Sequence, residues 1–253
     1  MTLDLPWYQS FFGQDYLDVY GYQFTQERAG IEVDFVIRVL GLRAGNLVLD
    51  LCSGQGRHAV PLAERGMHVT ALDMSFQYLE MAVAAARASG VQFETVHADM
   101  RNIPFNGRFD AVINMFSSFG YLESETEDAR VLESVRRALR PGGTVLLDLL
   151  NRDWVIANYE TEDSHRDSDG TLYLEHRRLD LETSRNHVSF TVVAPDGARR
   201  EVGGHHIRLY TLREVRGMLE AAGLAYESVH GGYEDEPYGI ETRRMIVIAR
   251  RPG

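Results

Sequence analysis

Three aspartates stand at or just beyond the ends of successive apolar runs: Asp50 in "NLVLDL", Asp73 in "HVTALD" and Asp99 after "QFETVHA". Between the first two lies Gly54-Gln-Gly56-Arg-His-Ala59, which fits the G-x-G-x-x-G/A spacing of a nucleotide-binding turn. Asp73 then stands where a carboxylate can bind a ribose hydroxyl. Asp50 bears on the rest of the ligand. A carboxylate at the start of this loop would face a pyrophosphate, a contact of like charges, whereas it suits a ligand carrying positive charge. Asp99 is positioned to read an adenine amino group. Metal and disulfide chemistry find little support: Cys52 is the single cysteine, and adjacent histidines in "GGHHIRLY" would face opposite sides of a strand. No metal site is expected.

The elements that must hold these residues alternate in type. Residues 27–40 put Ile31, Phe35, Val36 and Val39 on one helical stripe. The runs 46–51, 67–73, 91–97, 109–116 and 144–150 read as strands. Helices fall between them. One runs from near Gly56 to Gly66, and one from a Ser75 cap to Gly90. A third runs from a Ser124–Glu127 capping box through Val131, Leu132, Val135 and Leu139 to Pro141-Gly142-Gly143. This rhythm predicts a doubly wound α/β fold with a mostly parallel sheet covered on both faces. It breaks at about 165–210, where "TLYLEHRRLDL", "NHVSFTVVA" and "REVGGHHIRLY", punctuated by "SDG" and "PDG", read as inserted antiparallel strands. The α/β pattern resumes with a helix capped by Thr211 and Glu214 and ended by Gly223, then strands near 224–230 and 244–249. One domain in four parts is expected: an N-terminal helical cap (1–45), a cofactor-binding core (46–151), an inserted antiparallel β lid (152–210) and a C-terminal completion of the sheet (211–253).

A ligand with an ammonium and a sulfonium, S-adenosylmethionine, satisfies Asp50 better than a dinucleotide does. With "HADM" at 97–100 and the "LRPGG" turn at 139–143, the chain resembles the class I S-adenosylmethionine-dependent methyltransferases of small-molecule type, over residues 25–151 and 210–250. The resemblance implies a seven-stranded sheet whose last strand is antiparallel. It also implies a glycine-rich motif from Asp50 to Gly56, including Gly54, with Cys52 where the family has glycine. Asp73 and Met74 would serve the ribose, Asp99 and Met100 the adenine, and "INMFSSFGYL", with Met115, the methyl-transfer site. Arg28 or Arg57 would hold the methionyl carboxylate through bidentate bonds.

Methyl transfer from a sulfonium is an in-line displacement that needs placement above all. A neutral amine attacks as it arrives, while a hydroxyl needs a base. An Asn/Asp-Pro-Pro-Tyr/Phe motif is absent, and there is no cysteine outside the cofactor loop. The net charge of -11 and pI near 5.3 argue against nucleic-acid and membrane partners. These readings predict a small-molecule acceptor, methylated at N or O. Acceptor candidates are Tyr20, Phe119, Tyr121, His206, Arg208, Tyr210, Tyr233 and Arg243. No catalytic residue is assigned, and Tyr121, His206 and Tyr16 are the candidates. The inserted segment and the aromatic stretch "WYQSFFGQDYLDVYGYQF" would close over the site. Two alternatives stay open: an NAD-dependent oxidoreductase, and a non-catalytic S-adenosylmethionine-binding protein of the same fold. Without a basic N-terminal leader or an 18-residue apolar run, a cytoplasmic monomer or homodimer is expected.

Overall fold

The structure, a computed structural model, describes residues 6–253, so the first five positions of the expected cap lie outside the described residues. Two short helices, α1 (Trp7–Phe11) and α2 (Gln14–Tyr20), precede α3 (Gln26–Leu40), which Thr25 caps by accepting the Arg28 N–H at 3.3 Å. Phe35 and Val36 are buried as the periodicity predicts, but Ile31 is exposed. The inward face also takes Ala29, Glu32 and Val33. A glutamate sits there because Arg57 and His58 satisfy its carboxylate, a compensation that hydrophobic periodicity does not register.

The core follows as β1 (Leu47–Leu51), α4 (Ala59–Glu64), β2 (His68–Asp73), α5 (Phe76–Ala88), β3 (Glu94–His97), β4 (Phe109–Asn114), α6 (Glu125–Ala138) and β5 (Leu139–Leu150). Ser75 caps α5 as expected, and Ser124 caps α6. The α6 capping box is not completed, because Glu127 pairs with Arg101 instead. Leu139 does not belong to α6: the chain passes directly from Ala138 into β5, where Leu139 pairs with Phe109. After α7 (Arg152–Ala157) come β6 (Glu162–Arg166), β7 (Leu172–Asp180), β8 (Arg185–Val193) and β9 (Arg199–Arg208). Then α8 (Leu212–Ala221), opened by the Thr211–Glu214 capping box, leads to β10 (Ala225–His230) and β11 (Arg244–Arg250).

Seven strands form one sheet in the order β10-β11-β5-β4-β1-β2-β3, with β11 antiparallel to both neighbours. The other described pairings in it are parallel. Alternation sorts the side chains to two faces. Val48, Val69, Ile113, Leu146 and Ile246 meet Val33, Val36 and Leu62, while Leu49, Val112, Val145, Leu147 and Val247 meet Val131, Leu132, Val215 and Leu219. Each such Val or Leu, fully buried, contributes about 1.5–3 kcal/mol. The chain starts the sheet in its interior, at β1, winds outward to the β3 edge and crosses back to β4. The loops that leave β1 and β4 therefore part to opposite faces, which opens a crevice at the carboxyl ends of the strands.

The second sheet, β6-β7-β8-β9, is antiparallel throughout. Its first strand, "EDSHR", escaped the sequence reading because a polar edge strand carries no apolar alternation. Val188, Phe190, Val192 and Val202 pack against Phe11 and Val19. Phe11 lies parallel to Phe190 with centroids 6.3 Å apart, and Tyr20 meets the same ring edge-on at 5.5 Å. No helix among the described residues is long and apolar enough to cross a membrane.

Candidate active site

The loop after β1 is braced from β2. Ser53 N–H donates to the Leu72 carbonyl at 3.1 Å, and Gly54 N–H to Asp73 Oδ2 at 2.9 Å. Asp73 Oδ1 accepts the Ser75 N–H at 2.8 Å, so one carboxylate ties the loop to the start of α5. Asp73 is itself only 9% exposed. Cys52, in the glycine position, adopts φ 61°, a conformation that costs an L-residue energy and that glycine would meet freely. Gly56 is needed for packing: a Cβ there would lie 3.0 Å from Ala82 Cβ. It does not line the cleft.

The cleft above this loop has a cavity volume of about 100 Å³. Cys52, Gly54, Asp73, Met74, Asp99, Met100 and Met115 all line it. Asp99 is engaged bidentately by Arg101, and its Oδ1 also accepts the Arg101 N–H. Asp50 does not line the cleft. It is 1% exposed, beneath the loop, and burial, reinforced by the charge of Asp73, pushes its pKa up to about 7. Its Oδ2 has no hydrogen-bond partner among the described residues.

Arg28 does not line this cleft either; Arg57 does. Arg57 Nη1 lies 2.6 Å from Glu32 Oε2, and its guanidinium sits over Phe116 and Phe24, at 5.0 and 5.6 Å from the ring centroids. That geometry leaves both buried Nη atoms without a hydrogen bond. Glu32, fully buried, also meets His58 Nε2 at 2.8 Å and Arg28 Nε at 3.1 Å. Burial alone would raise its pKa, but the His58 hydrogen bond and the charges of His58, Arg57 and Arg28 hold it below the usual value.

The opposite wall follows β4. Phe116 and Ser117 both take positive φ, 59° and 63°. Fully buried Asp148 holds them there: its Oδ2 accepts the Phe116 N–H at 2.8 Å and its carbonyl the Ser117 N–H at 2.9 Å. Arg244 Nε and the Tyr233 hydroxyl each donate to Asp148 at 2.7 Å. Strain kept this way orients the Phe116 ring.

Phe12, Tyr16, Phe116 and Tyr121 line both this cleft and a second chamber of about 110 Å³, and so form a neck between them. Tyr20, Arg28, His205, Arg243 and Arg244 line the chamber beyond. Tyr20 Oη and His205 Nε2 are 2.7 Å apart. Burial, with His206 and Arg177 nearby, lowers the His205 pKa to about 3, so its imidazole is neutral. Burial likewise raises the pKa values of Tyr16, Tyr20 and Tyr121, which keeps these phenols protonated.

Five expected acceptor residues lie elsewhere. Phe119 is core, packed on Tyr210 at 5.6 Å. Tyr210 donates to Asp128 at 2.7 Å. Arg208 is buried between Glu125 and Glu214 and fastens α6 to the start of α8. Tyr233 braces Asp148 from the far side. His206 points outward, toward Trp7 and His187, while His205 faces the chamber. The cause is a register shift between β8 and β9 at the paired glycines: a Cβ on Gly204 would fall 1.7 Å from the Val188 carbonyl oxygen. Counting alternation from buried Val202 selects His206; the bulge inverts the count. Glu32 and Asp148 were missed, and no local pattern marks them; Phe116 was reached only as part of "INMFSSFGYL".

Residues 48–143 match the family model described as a methyltransferase domain. The chain is 30% identical over 211 residues to a glycine/sarcosine N-methyltransferase of Parasynechococcus marenigrum, covering 82% of this chain and 73% of that protein. It is also 30% identical over 213 residues to a cypemycin N-terminal methyltransferase of a Streptomyces species, covering 82% and 84%. Among solved structures, the CcbJ methyltransferase from Streptomyces caelestis superposes with a TM-score of 0.78 at 22% identity, over 89% of this chain and 90% of that one. The fold and crevice define a class I nucleotide-cofactor enzyme. The chain belongs to the S-adenosylmethionine-dependent methyltransferases, and the dinucleotide reading falls away.

The residues present fit that cofactor. A Cβ on Gly54 would meet nothing within 4 Å, so the loop offers bare backbone. Arg57 has unused donors for a carboxylate, Asp73 is an acceptor for hydroxyls, and Asp50 leaves an orphaned oxygen beneath a cationic ligand.

Proposed function

We propose that the enzyme methylates a nitrogen of a small-molecule amine. S-adenosylmethionine supplies an electrophilic methyl group when bound. The observation that carries the reading is the aromatic lining of Phe12, Tyr16, Phe116 and Tyr121 shared by the two chambers, in which the only ionisable groups are phenols whose pKa burial raises. An amine that arrives neutral needs no base, whereas a hydroxyl acceptor would, and His205 is too weakly basic to serve. The two curated relatives act on amines by name, which supports the same choice.

In this reading Asp73 binds the ribose hydroxyls, Asp99 and Met100 flank the adenine, and Arg57, in preference to Arg28, binds the methionyl carboxylate. Cys52, Gly54, Met74 and Met115 form the wall, and Asp50 acts from below by charge. Tyr16 and Tyr121 exclude water at the neck and orient the acceptor lone pair. Tyr20 and His205 close the chamber. Residues 152–210 serve as lid and 1–45 as cap of one domain. The enzyme works in the cytoplasm as a monomer or homodimer. The test is S-adenosylhomocysteine release across matched libraries of small amines and alcohols. Turnover confined to alcohols would overturn the assignment to nitrogen.

A further inference from the structure

The second chamber has an unusual charge for its protein. The chain carries a formal net charge of -11, yet three arginines line this chamber, Arg28, Arg243 and Arg244, and no carboxylate among the described residues does. Their neutralisation is uneven. Arg244 is matched by Asp148, with Nε to Oδ1 at 2.7 Å. Arg28 shares Glu32 with Arg57, so one carboxylate faces two guanidiniums. Arg243 makes no ion pair among the described residues. Its carbonyl is fixed by the Asn151 N–H at 3.0 Å, and its guanidinium lies over Trp154, 5.5 Å from the ring centroid. The guanidinium donates no hydrogen bond among the described residues, which leaves its N–H groups for a ligand.

From this excess of positive charge we infer that the methyl acceptor carries an oxyanion, a carboxylate or a phosphate, bound in the second chamber by Arg243 with Arg28. The inference rests on the methyltransferase reading of the adjoining cleft. A guanidinium edge matches either oxyanion bidentately. The same charges serve the chemistry at the neck. Cations nearby disfavour an ammonium, so they shift an acceptor amine toward its neutral form, whose lone pair is free to attack. Nitrogen forms the new bond to carbon as the carbon–sulfur bond breaks, and the extra proton on the product leaves to solvent. Partial desolvation and the neighbouring guanidiniums of Arg244, Arg177 and Arg28 also pull the Arg243 pKa down, as expected for a cation that awaits a counter-charge.

The test uses the full chain saturated with S-adenosylhomocysteine, so that the cofactor cleft is filled, and titrates it with acetate, malonate and inorganic phosphate by calorimetry. At least one anion should bind in the millimolar range. Arg243→Ala should weaken that binding about 10- to 100-fold, the loss of a charged hydrogen-bonded contact. Arg243→Lys should retain part of it, and both variants should hold S-adenosylhomocysteine within about twofold of wild type on the tenfold-per-1.4-kcal/mol scale. Acetate or malonate binding without phosphate binding assigns a carboxylate, and the reverse assigns a phosphate. S-adenosylhomocysteine binding with no anion signal, or an anion signal unchanged in Arg243→Ala, overturns this inference alone. Failure to bind S-adenosylhomocysteine overturns the methyltransferase reading and this inference with it.

Discussion

Replacing Glu32 by Gln is the sharpest perturbation of the cofactor wall. The carboxylate is fully buried and touches three cationic or donor groups: Arg57 Nη1 at 2.6 Å, His58 Nε2 at 2.8 Å and Arg28 Nε at 3.1 Å. Glutamine has nearly the same volume, so no cavity term confuses the measurement. It leaves the Arg57 charge, in a side chain only 10% exposed, without its counter-ion. Removing one partner of a buried pair costs about 3–5 kcal/mol. For a chain of this length that is a fall in Tm of about 6–20 °C. S-adenosylhomocysteine should restore more stability to the variant than to wild type, because its carboxylate meets the charge that Glu32 no longer does. The pH dependence has a defined sign. The folded Glu32 pKa is depressed, so its contribution is present above the unfolded value and is lost as pH falls through the folded one; Gln removes that acid-sensitive part. Thermal and urea unfolding of Glu32→Gln, Arg57→Gln and the double variant give the coupling directly. A loss under about 1 kcal/mol, or an additive double variant, would refute the reasoning.

Asp73→Ala should weaken cofactor binding by about 1.5–3 kcal/mol, measured by calorimetry, and also lower Tm, since Gly54 and Ser75 lose their acceptor; unchanged affinity would move the ribose contact elsewhere. His205 should make the protein acid-sensitive: its pKa of about 3 lies below the unfolded value, so stability falls as pH drops from about 6.5 toward 3, by of order 3 kcal/mol between pH 7 and 4. His205→Gln should flatten that limb in urea titrations, and an identical slope would sink the argument. Asp50, with a folded pKa near 7 against an unfolded value of about 3.9, holds a proton in the free enzyme at pH 6, and a cationic cofactor should expel it. Calorimetry of S-adenosylmethionine binding in buffers of different ionisation enthalpy should report proton release that Asp50→Asn abolishes; no buffer dependence in wild type would count against it.

Local periodicity determined most of the architecture. A parallel strand buried on both faces must read as an apolar run, and a helix between two such strands must show its stripe and its cap, so the alternation of strands and helices, the inserted sheet and the Ser75 and Thr211 caps were legible. The glycine loop and the aspartates at 50, 73 and 99 were legible for the same reason, because the crevice of a doubly wound sheet always lies at the carboxyl ends of its strands. What each side chain faces was decided only in three dimensions. Glu32 is buried because Arg57 and His58, on another segment, compensate it. One bulge at Gly204 exchanged His206 for His205 at the chamber wall. Arg208 is consumed by Glu125 and Glu214, while Arg28 and Arg243, 215 residues apart by their numbering, share a chamber. Charge compensation and register depend on which distant segments meet, and no single stretch of chain carries that information.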